Sequence, residues 1–438
     1  MTGGVSPARS RAVEVLRDVL GGGARAAPLV GRRSEGLAPE DQTLLRELVL
    51  GVLRHKAGLD AEIASVSQIP LARFAPGLLE ILELALYQIR HLDRVPAYAA
   101  VDQAVRQARV LGGAGAARLV NALLRTLQRR GNAPAGTGET TDQLARDFSH
   151  PAFLVGRWRK RFGDDAARRV LAADNRPSTL DLIANPGRTT RDALLQALAQ
   201  EGIDAAASAL APHAVTVRSG NPIRSPLFAA GLFSIQDLGS QALPLLLPRG
   251  DLLVDLAAAP GGKTFAALFS GHAQRVACLD RSPVRLRLLV ENVARLGAGG
   301  AYPAAGDFLA PPLPAGRFDR VLLDAPCSGT GTLRKNPEIR YRVTPEAIER
   351  LAAMQENAAA AAANLLAPGG FLLYATCSLE REENERVIER VLAGDPRLEL
   401  ATIDAPDALR PFVAGHLFRM LPDDASDGFT AHLLRRKA

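Results

Sequence analysis

Asp255-Leu-Ala-Ala-Ala-Pro-Gly-Gly-Lys-Thr264 follows the apolar run Leu252-Leu-Val254 and leads into Phe265-Ala-Ala-Leu-Phe269. That order predicts a buried strand, a turn of small residues and a helix. Glycines without a Cβ let backbone amides approach a ligand at the carboxyl end of a strand, where open α/β sheets keep their cofactor crevice. A pair of glycines alone fits an ordinary strand-to-helix turn as well. The downstream sequence favours the crevice. Apolar runs recur at Leu252 to Leu256, Val276 to Leu279, Val321 to Leu323 and Phe371 to Ala375, separated by helical segments, as buried parallel strands do. The last two of these runs end in cysteine-bearing segments, Asp324-Ala-Pro-Cys-Ser-Gly-Thr-Gly331 and Tyr374-Ala-Thr-Cys-Ser378. The finish, His416 to Leu421 and Phe429 to Leu434 around an acidic turn, predicts an antiparallel hairpin on the sheet edge.

A thiol is well suited to covalent addition to a pyrimidine ring, because its thiolate is strongly nucleophilic once neighbours lower its pKa. Cys327 lies in a polar, glycine-rich loop, a poor place for a merely apolar cysteine, whereas Cys278 within Val-Ala-Cys-Leu reads as an inert core residue. Cys377 precedes the acidic stretch Glu380-Arg-Glu-Glu-Asn-Glu385, read as the start of a helix. A helix N-terminus lowers a thiol pKa and acidic neighbours raise it, so the balance stays open, with Lys263 as a source of compensating charge or a solvated lysine. The Asp324 carboxylate suits the N3 and amino edge of a cytosine. Asp280 closes the second strand about 20 residues past the glycines, where a ribose is commonly held, or else caps the following helix. Asp307 suits an adenine amino group or a turn.

The 438 residues carry a net charge of +7, with 47% hydrophobic and 23% charged residues, and the pI is near 9.7. The length calls for two or three domains, and the charge suits a polyanionic partner such as RNA. Three cysteines make no disulfide framework and no zinc site, so no metal is expected. No apolar run reaches the roughly 20 residues that span a bilayer, so no membrane role and a cytoplasmic location are expected.

From Pro7 to Arg130, apolar residues recur at helical spacing, as in Leu45, Leu48 and Val52 or Leu79, Leu82 and Leu86, with breaks expected at Gly21-Gly22-Gly23, Gly58, Pro76-Gly77, Pro96 and Gly112-Gly113. An all-helical domain over 1–131 is expected, then a linker over 132–142 drawn from Gly131-Asn-Ala-Pro-Ala-Gly-Thr-Gly138, a small α/β subdomain over 143–235 and the cofactor domain over 236–438. Trp158 among Arg157, Arg159, Lys160 and Arg161 either stacks on a base or packs in a core. Arg334, Lys335, Arg340 and Arg342 form a cation cluster suited to phosphates.

With these residues in place the chain resembles the Nop2/Sun family of RNA 5-methylcytosine methyltransferases, in its RsmB-type branch with a NusB-like N-terminal domain. The turn at 255–264, Asp-Ala-Pro-Cys-Ser-Gly at 324–329, Thr-Cys-Ser at 376–378 and Glu383-Asn-Glu385 carry the resemblance, with Ser149-His-Pro151, Gln236-Asp237 and Asp427-Gly-Phe429. It implies an α/β fold with a Rossmann-like methyltransferase sheet, S-adenosylmethionine as cofactor and small-subunit rRNA as partner; a monomer is expected. It implies Cys377 as the nucleophile that adds to cytosine C6 and Cys327 as the group that helps release the product. Asp324 and Lys263 match base-contacting and activating positions. Ala257, Ala258, Ala259, Pro260, Gly261, Gly262, Lys263, Asp280, Arg285, Asp307 and Asp324 match cofactor positions. Two departures stand out: Ala257 in place of a cysteine, and Asp181-Leu-Ile-Ala-Asn185 in place of an Arg-x-Asn pattern. Methylation of tRNA or of DNA, a small-molecule methyltransferase and a non-catalytic RNA-binding assembly factor are the competing readings. In DNA enzymes the nucleophile lies in the Pro-Cys segment, which for this chain would be Cys327.

Overall fold

The computed structural model describes residues 4–131 and 139–438. The chain forms two compact units, Met1–Pro177 with Leu333–Arg342, and Ser178–Thr332 with Val343–Ala438.

The first unit is helical: α1 (Pro7–Gly22), α2 (Ala26–Arg33), α3 (Pro39–Ala64), α4 (Leu78–His91), α5 (Ala97–Arg130), α6 (Thr141–Asp147), α7 (Ala152–Phe162) and α8 (Asp164–Asp174). On α1 the buried residues Ala8, Ala12, Val15, Leu16 and Val19 fall one turn apart, the stripe an amphipathic helix turns to its core. Gly23 ends α1 at φ 70°, Pro96 precedes α5, and Gly112 and Gly113 kink α5. Gly58, expected as a break, lies inside α3 instead. A Cβ there would stand 4.0 Å from the Arg146 carbonyl oxygen, an ordinary contact, and the Gly58 amide donates to Ser149 Oγ at 3.3 Å.

The expected linker falls largely on 132–138, outside the described residues, and Thr140 then opens α6 with a capping box to Gln143. Helices α6 to α8 group with the helical unit, and the four-stranded sheet begins at Leu180. Trp158 is 1% exposed with its ring edge-on to His150, which makes it a core residue and not a stacking platform. The cation cluster at 334–342 also departs from expectation. Arg340 is buried and donates to the carbonyls of Arg54 at 2.8 Å and Asp174 at 2.9 Å and to Asn175 Oδ1 at 2.7 Å. Arg342 donates to the carbonyls of Val19 and Ala24, and Arg334 is 1% exposed. These guanidiniums fasten the returning segment inside the helical unit; they do not face outward for phosphates.

The second unit holds two sheets. The smaller comprises β1 (Leu180–Ala184), α9 (Arg191–Gln200), β2 (Asp204–Ala207), β3 (Ala214–Ser219), α10 (Pro226–Ala229) and β4 (Phe233–Ile235), in antiparallel order β2-β3-β1-β4. In the departure at 181–185, Asp181 accepts from Thr216 Oγ1 at 2.8 Å, and Asn185 Nδ2 donates to the carbonyls of Gly231 at 2.9 Å and Leu296 at 2.8 Å. Both side chains are buried, with internal partners.

The larger sheet follows α11 (Leu238–Ala242) and comprises β5 (Leu252–Asp255), α12 (Gly262–Phe269), β6 (Arg275–Asp280), α13 (Pro283–Leu296), β7 (Ala301–Ala305), β8 (Phe318–Asp324), α14 (Pro345–Leu365), β9 (Leu366–Thr376), α15 (Glu385–Gly394), β10 (Leu398–Leu400), β11 (Val413–Ala414), β12 (Leu417–Met420) and β13 (Phe429–Arg436). Its order is β11-β12-β13-β9-β8-β5-β6-β7, parallel from β9 to β7, with β10 paired to β13. Leu253, Val276, Leu322 and Leu373 enter one core while Val254, Val321, Leu323 and Leu372 enter another, so both faces are dry and the strands read as continuous apolar runs. The terminal hairpin is present, but β13 lies inside the sheet between β9 and β12, leaving β11 and β12 toward the edge. The strand order reverses between β5 and β8, and open α/β sheets place their ligands at the carboxyl ends of the strands at such a switch point.

Candidate active site

Asp255, Asp280, Asp324 and Thr376 are the last residues of β5, β6, β8 and β9, so the loops they open share one edge of the sheet. In the turn after β5, Ala258 donates its amide to the Leu279 carbonyl at 2.9 Å and Gly261 donates to the Ala258 carbonyl at 2.7 Å. Gly261 has φ +111°, and a Cβ there would meet the Phe265 ring at 2.4 Å; only glycine fits the tight turn into α12. Ala257 is partly buried and Pro260 exposed.

Asp280 holds this turn from the next strand. Its Oδ2 accepts from the Ala259 amide at 3.3 Å and its Oδ1 from the Ser282 amide at 2.9 Å. Arg285 lies 3.5 Å from Asp280 and donates to the Ala259 carbonyl, and Asn292 Nδ2 donates to the Pro260 carbonyl at 3.2 Å. Asp307 follows β7, and its Oδ1 accepts from the Leu309 amide at 2.9 Å, as a turn residue does. Turn, helix start and acidic strand ends together fit a nucleoside-bearing cofactor with an anionic tail: the turn has no side chain to fill the cradle, and backbone amides at a helix start favour negative charge. Ala257 to Gly262 would hold the tail, with Asp280 and Asp307 toward the nucleoside.

Lys263 and Asp324 are joined at 2.5 Å, with side chains 14% and 27% exposed, so Lys263 is not a solvated lysine. Burial works against its ammonium, but Asp324 first, then Asp255 and Cys377, outweigh it and raise its pKa. Behind the pair, Asp255 is fully buried and accepts from Thr264 Oγ1 at 2.9 Å. Burial pushes its carboxyl from 3.8 up to about 6, with Lys263 opposing. A carboxyl raised in the folded state favours folding most below its unfolded pKa, and that advantage falls away as pH rises from about 4 through about 6. Asp255→Asn removes the titration, so its stability relative to wild type should rise by about 2 kcal/mol between pH 4 and pH 8. Urea unfolding across that range checks it; a pH-independent difference would mean that Asp255 titrates as in the unfolded chain.

Cys327 and Cys377 Sγ lie 3.3 Å apart, in residues that are partly buried. Cys327 is pushed well above the ordinary thiol range, first by its hydrogen bond to Cys377, then by burial and by the charges of Cys377, Glu383 and Asp324. The two sulfurs are within hydrogen-bond distance, and the surroundings of Cys327 disfavour its thiolate. Cys278 is buried and pushed up to about 12, chiefly by burial, as expected of an inert thiol. The helix-terminus argument for Cys377 does not hold: residues 380–384 form a non-helical loop and α15 starts at Glu385. Asn384 is drawn into the strand end instead, accepting from Thr376 Oγ1 at 2.7 Å and donating to the Ser378 carbonyl at 3.0 Å. Lys263 lies within electrostatic reach of Cys377.

Three residues that the sequence marked only as part of a resemblance line the same site. Gln236 lies 3.4 Å from where a Gly262 Cβ would be. Phe429 places its ring centroid 6.0 Å from Lys263 Nζ. Glu383 is fully buried between the two cysteine loops. Gln355, which carried no signal, reaches the Pro326 carbonyl at 2.9 Å from α14. Among the described residues no group of His, Cys, Asp and Glu could hold a metal ion, and no helix is long and apolar enough to cross a membrane.

The sequence matches the family described as 16S rRNA methyltransferase RsmB/F over residues 242–435, the NusB family over 6–129, and the ferredoxin-like domain of RsmF/B-like methyltransferases over 150–224. It is 33% identical to a probable ribosomal RNA small subunit methyltransferase B of Bacillus subtilis, covering 92% of this chain and 93% of that protein. It is 31% identical to ribosomal RNA small subunit methyltransferase B of Vibrio vulnificus, covering 98% and 99%. The fold resembles the crystal structure of PH0851, with a TM-score of 0.79 at 24% identity over 100% of both chains. It also resembles NSun6 from Pyrococcus horikoshii with SFG, with a TM-score of 0.58 at 21% identity over 66% of this chain and 98% of that one.

Proposed function

The chain belongs to the RsmB/F family of 16S rRNA methyltransferases, and from that premise we propose that it moves a methyl group from S-adenosylmethionine to C5 of a cytosine in small-subunit rRNA. The observation that carries the reading is the pair of thiols 3.3 Å apart beside Lys263 and Asp324. A fold relative was crystallised with SFG, an adenosylmethionine analogue, which supports the cofactor assignment. The functional division proposed is a helical RNA-binding part, a small sheet and a cofactor domain, acting in the cytoplasm.

Cytosine C5 is a poor nucleophile until a thiolate adds at C6. Cys377 Sγ forms that bond, and the electron pair of the C5–C6 double bond becomes available at C5. Asp324 accepts from the amino edge of the base, while the Lys263 ammonium offsets the charge that addition places on the ring. The bound cofactor supplies an electrophilic methyl group on a sulfonium. Capture of Cys377 removes the largest influence holding the proton on Cys327, so that thiol can release it to solvent. Cys327 then takes the C5 proton, the C5–C6 double bond reforms, and Cys377 leaves as thiolate. The net release is one proton per methyl transferred. The base must lie in a loop or be flipped from its helix to reach sulfurs recessed at the strand ends.

Incubating the protein with unmodified small-subunit rRNA and methyl-labelled adenosylmethionine, then digesting to nucleosides, tests this. Label in 5-methylcytidine is expected. Label in another nucleoside would overturn the chemistry, and label on tRNA in place of rRNA would overturn the substrate.

A further inference from the structure

The carboxylate of Glu383 receives four hydrogen bonds. Ser328 N and Gln355 Nε2 donate to Oε1 at 2.8 and 3.0 Å, and Ser378 Oγ donates to Oε2 at 2.5 Å, joined there by Ser328 Oγ. Ser328 follows Cys327 and Ser378 follows Cys377, so one side chain grips both cysteine loops; the two serine oxygens lie 3.2 Å apart. The main-chain carbonyl of Glu383 accepts from Tyr374 Oη at 2.6 Å, which ties the clamp to β9. Two of the donors are N–H groups and two are hydroxyls, so all four contacts suit the carboxylate form. Burial pushes its carboxyl above the usual range, and these hydrogen bonds oppose that push.

We propose that Glu383 is a positioning residue for the methyl transfer: through the two serines it ties the two cysteine loops together and fixes the separation of the thiols. The inference rests on the two-thiol reading above. A fixed negative charge in a dry site disfavours a second one nearby, and Glu383 is among the charges that raise Cys327. Tying both loops to one rigid group also holds the sulfurs at the spacing that addition and release require. A purely structural carboxylate would change stability alone.

The full-length protein carrying Glu383→Gln separates these. Without RNA, alkylation of Cys327 by iodoacetamide is followed against pH by peptide mass spectrometry, and the midpoint is expected to fall by about one pH unit. With unmodified 16S rRNA, the single-turnover rate is expected to fall roughly 10- to 100-fold at unchanged KM for RNA. Glu383→Asp keeps the charge on a shorter arm, so it should keep the wild-type alkylation midpoint and still slow the single turnover. An unshifted midpoint in Glu383→Gln, or a wild-type single-turnover rate in either variant, overturns the proposal. If Glu383→Gln does not fold, Glu383→Asp decides on its turnover rate. Failure of wild type to form a Cys377 adduct would instead overturn the two-thiol reading, while the alkylation midpoints still decide whether Glu383 acts on Cys327.

Discussion

Cys377→Ala is expected to lower single-turnover methylation of small-subunit rRNA by at least about 10⁴-fold, the scale of losses when an enzyme is deprived of its nucleophile. Cytosine C5 does not attack a methyl sulfonium without prior addition at C6, so no slower route through the same site replaces the thiolate. Cys327 is a poor substitute. It lies 3.3 Å from the Cys377 sulfur, and with Cys377 gone, burial and then the charges of Glu383 and Asp324 still oppose its thiolate. A displacement of that size spoils the alignment addition needs. The variant should fold, because Cys377 is only partly buried and Asn384, Ser378 and Thr376 fix the strand end without its sulfur. Adenosylmethionine binding, measured by calorimetry, should persist, since the turn at 257–262 is untouched. Methylation above a tenth of the wild-type rate would remove Cys377 from the nucleophile's role.

The parts of this site that were legible in the sequence are those where one residue type has one physical use. Gly261 needs φ +111° with the Phe265 ring against it, and the apolar runs of β5, β6, β8 and β9 announce strands buried on both faces. Cysteines at the ends of two such runs are easily read as one site, because parallel strands deliver their carboxyl ends to the same edge. What could not be read depends on distant partners. Arg340 in a cation-rich stretch looks like a phosphate ligand until its carbonyl acceptors, Arg54 and Asp174, are found far away in the chain. Trp158 among arginines presents the same ambiguity, resolved only by its burial. Acidic residues at 380–385 suit a helix start, yet Glu383 and Asn384 are spent on the serines and on Thr376, which delays the helix to Glu385. Local composition cannot distinguish a carboxylate that caps a helix from one that cross-links two loops.

Cys327→Ala is expected to convert the enzyme into a trap. The nucleophile survives, so Cys377 still adds to C6 and the methyl group still transfers, but the group positioned to take the C5 proton is gone. Loss of a positioned base typically costs about 10²- to 10⁴-fold, and here the cost falls on breakdown of the adduct rather than on its formation. Incubation with unmodified small-subunit rRNA and labelled adenosylmethionine should leave a protein–RNA complex that survives denaturing electrophoresis, with about one label per enzyme. Peptide mapping should place the RNA on Cys377, and Cys327→Ala/Cys377→Ala should give no complex. The roles would be reversed if the chain worked as DNA cytosine methyltransferases do, with the Pro-Cys thiol as nucleophile: Cys327→Ala would then form no adduct, and Cys377→Ala would stay active. Full turnover by Cys327→Ala without accumulation would assign removal of the C5 proton to another group, and Asp324, one of the charges acting on Cys327, would be the first to replace.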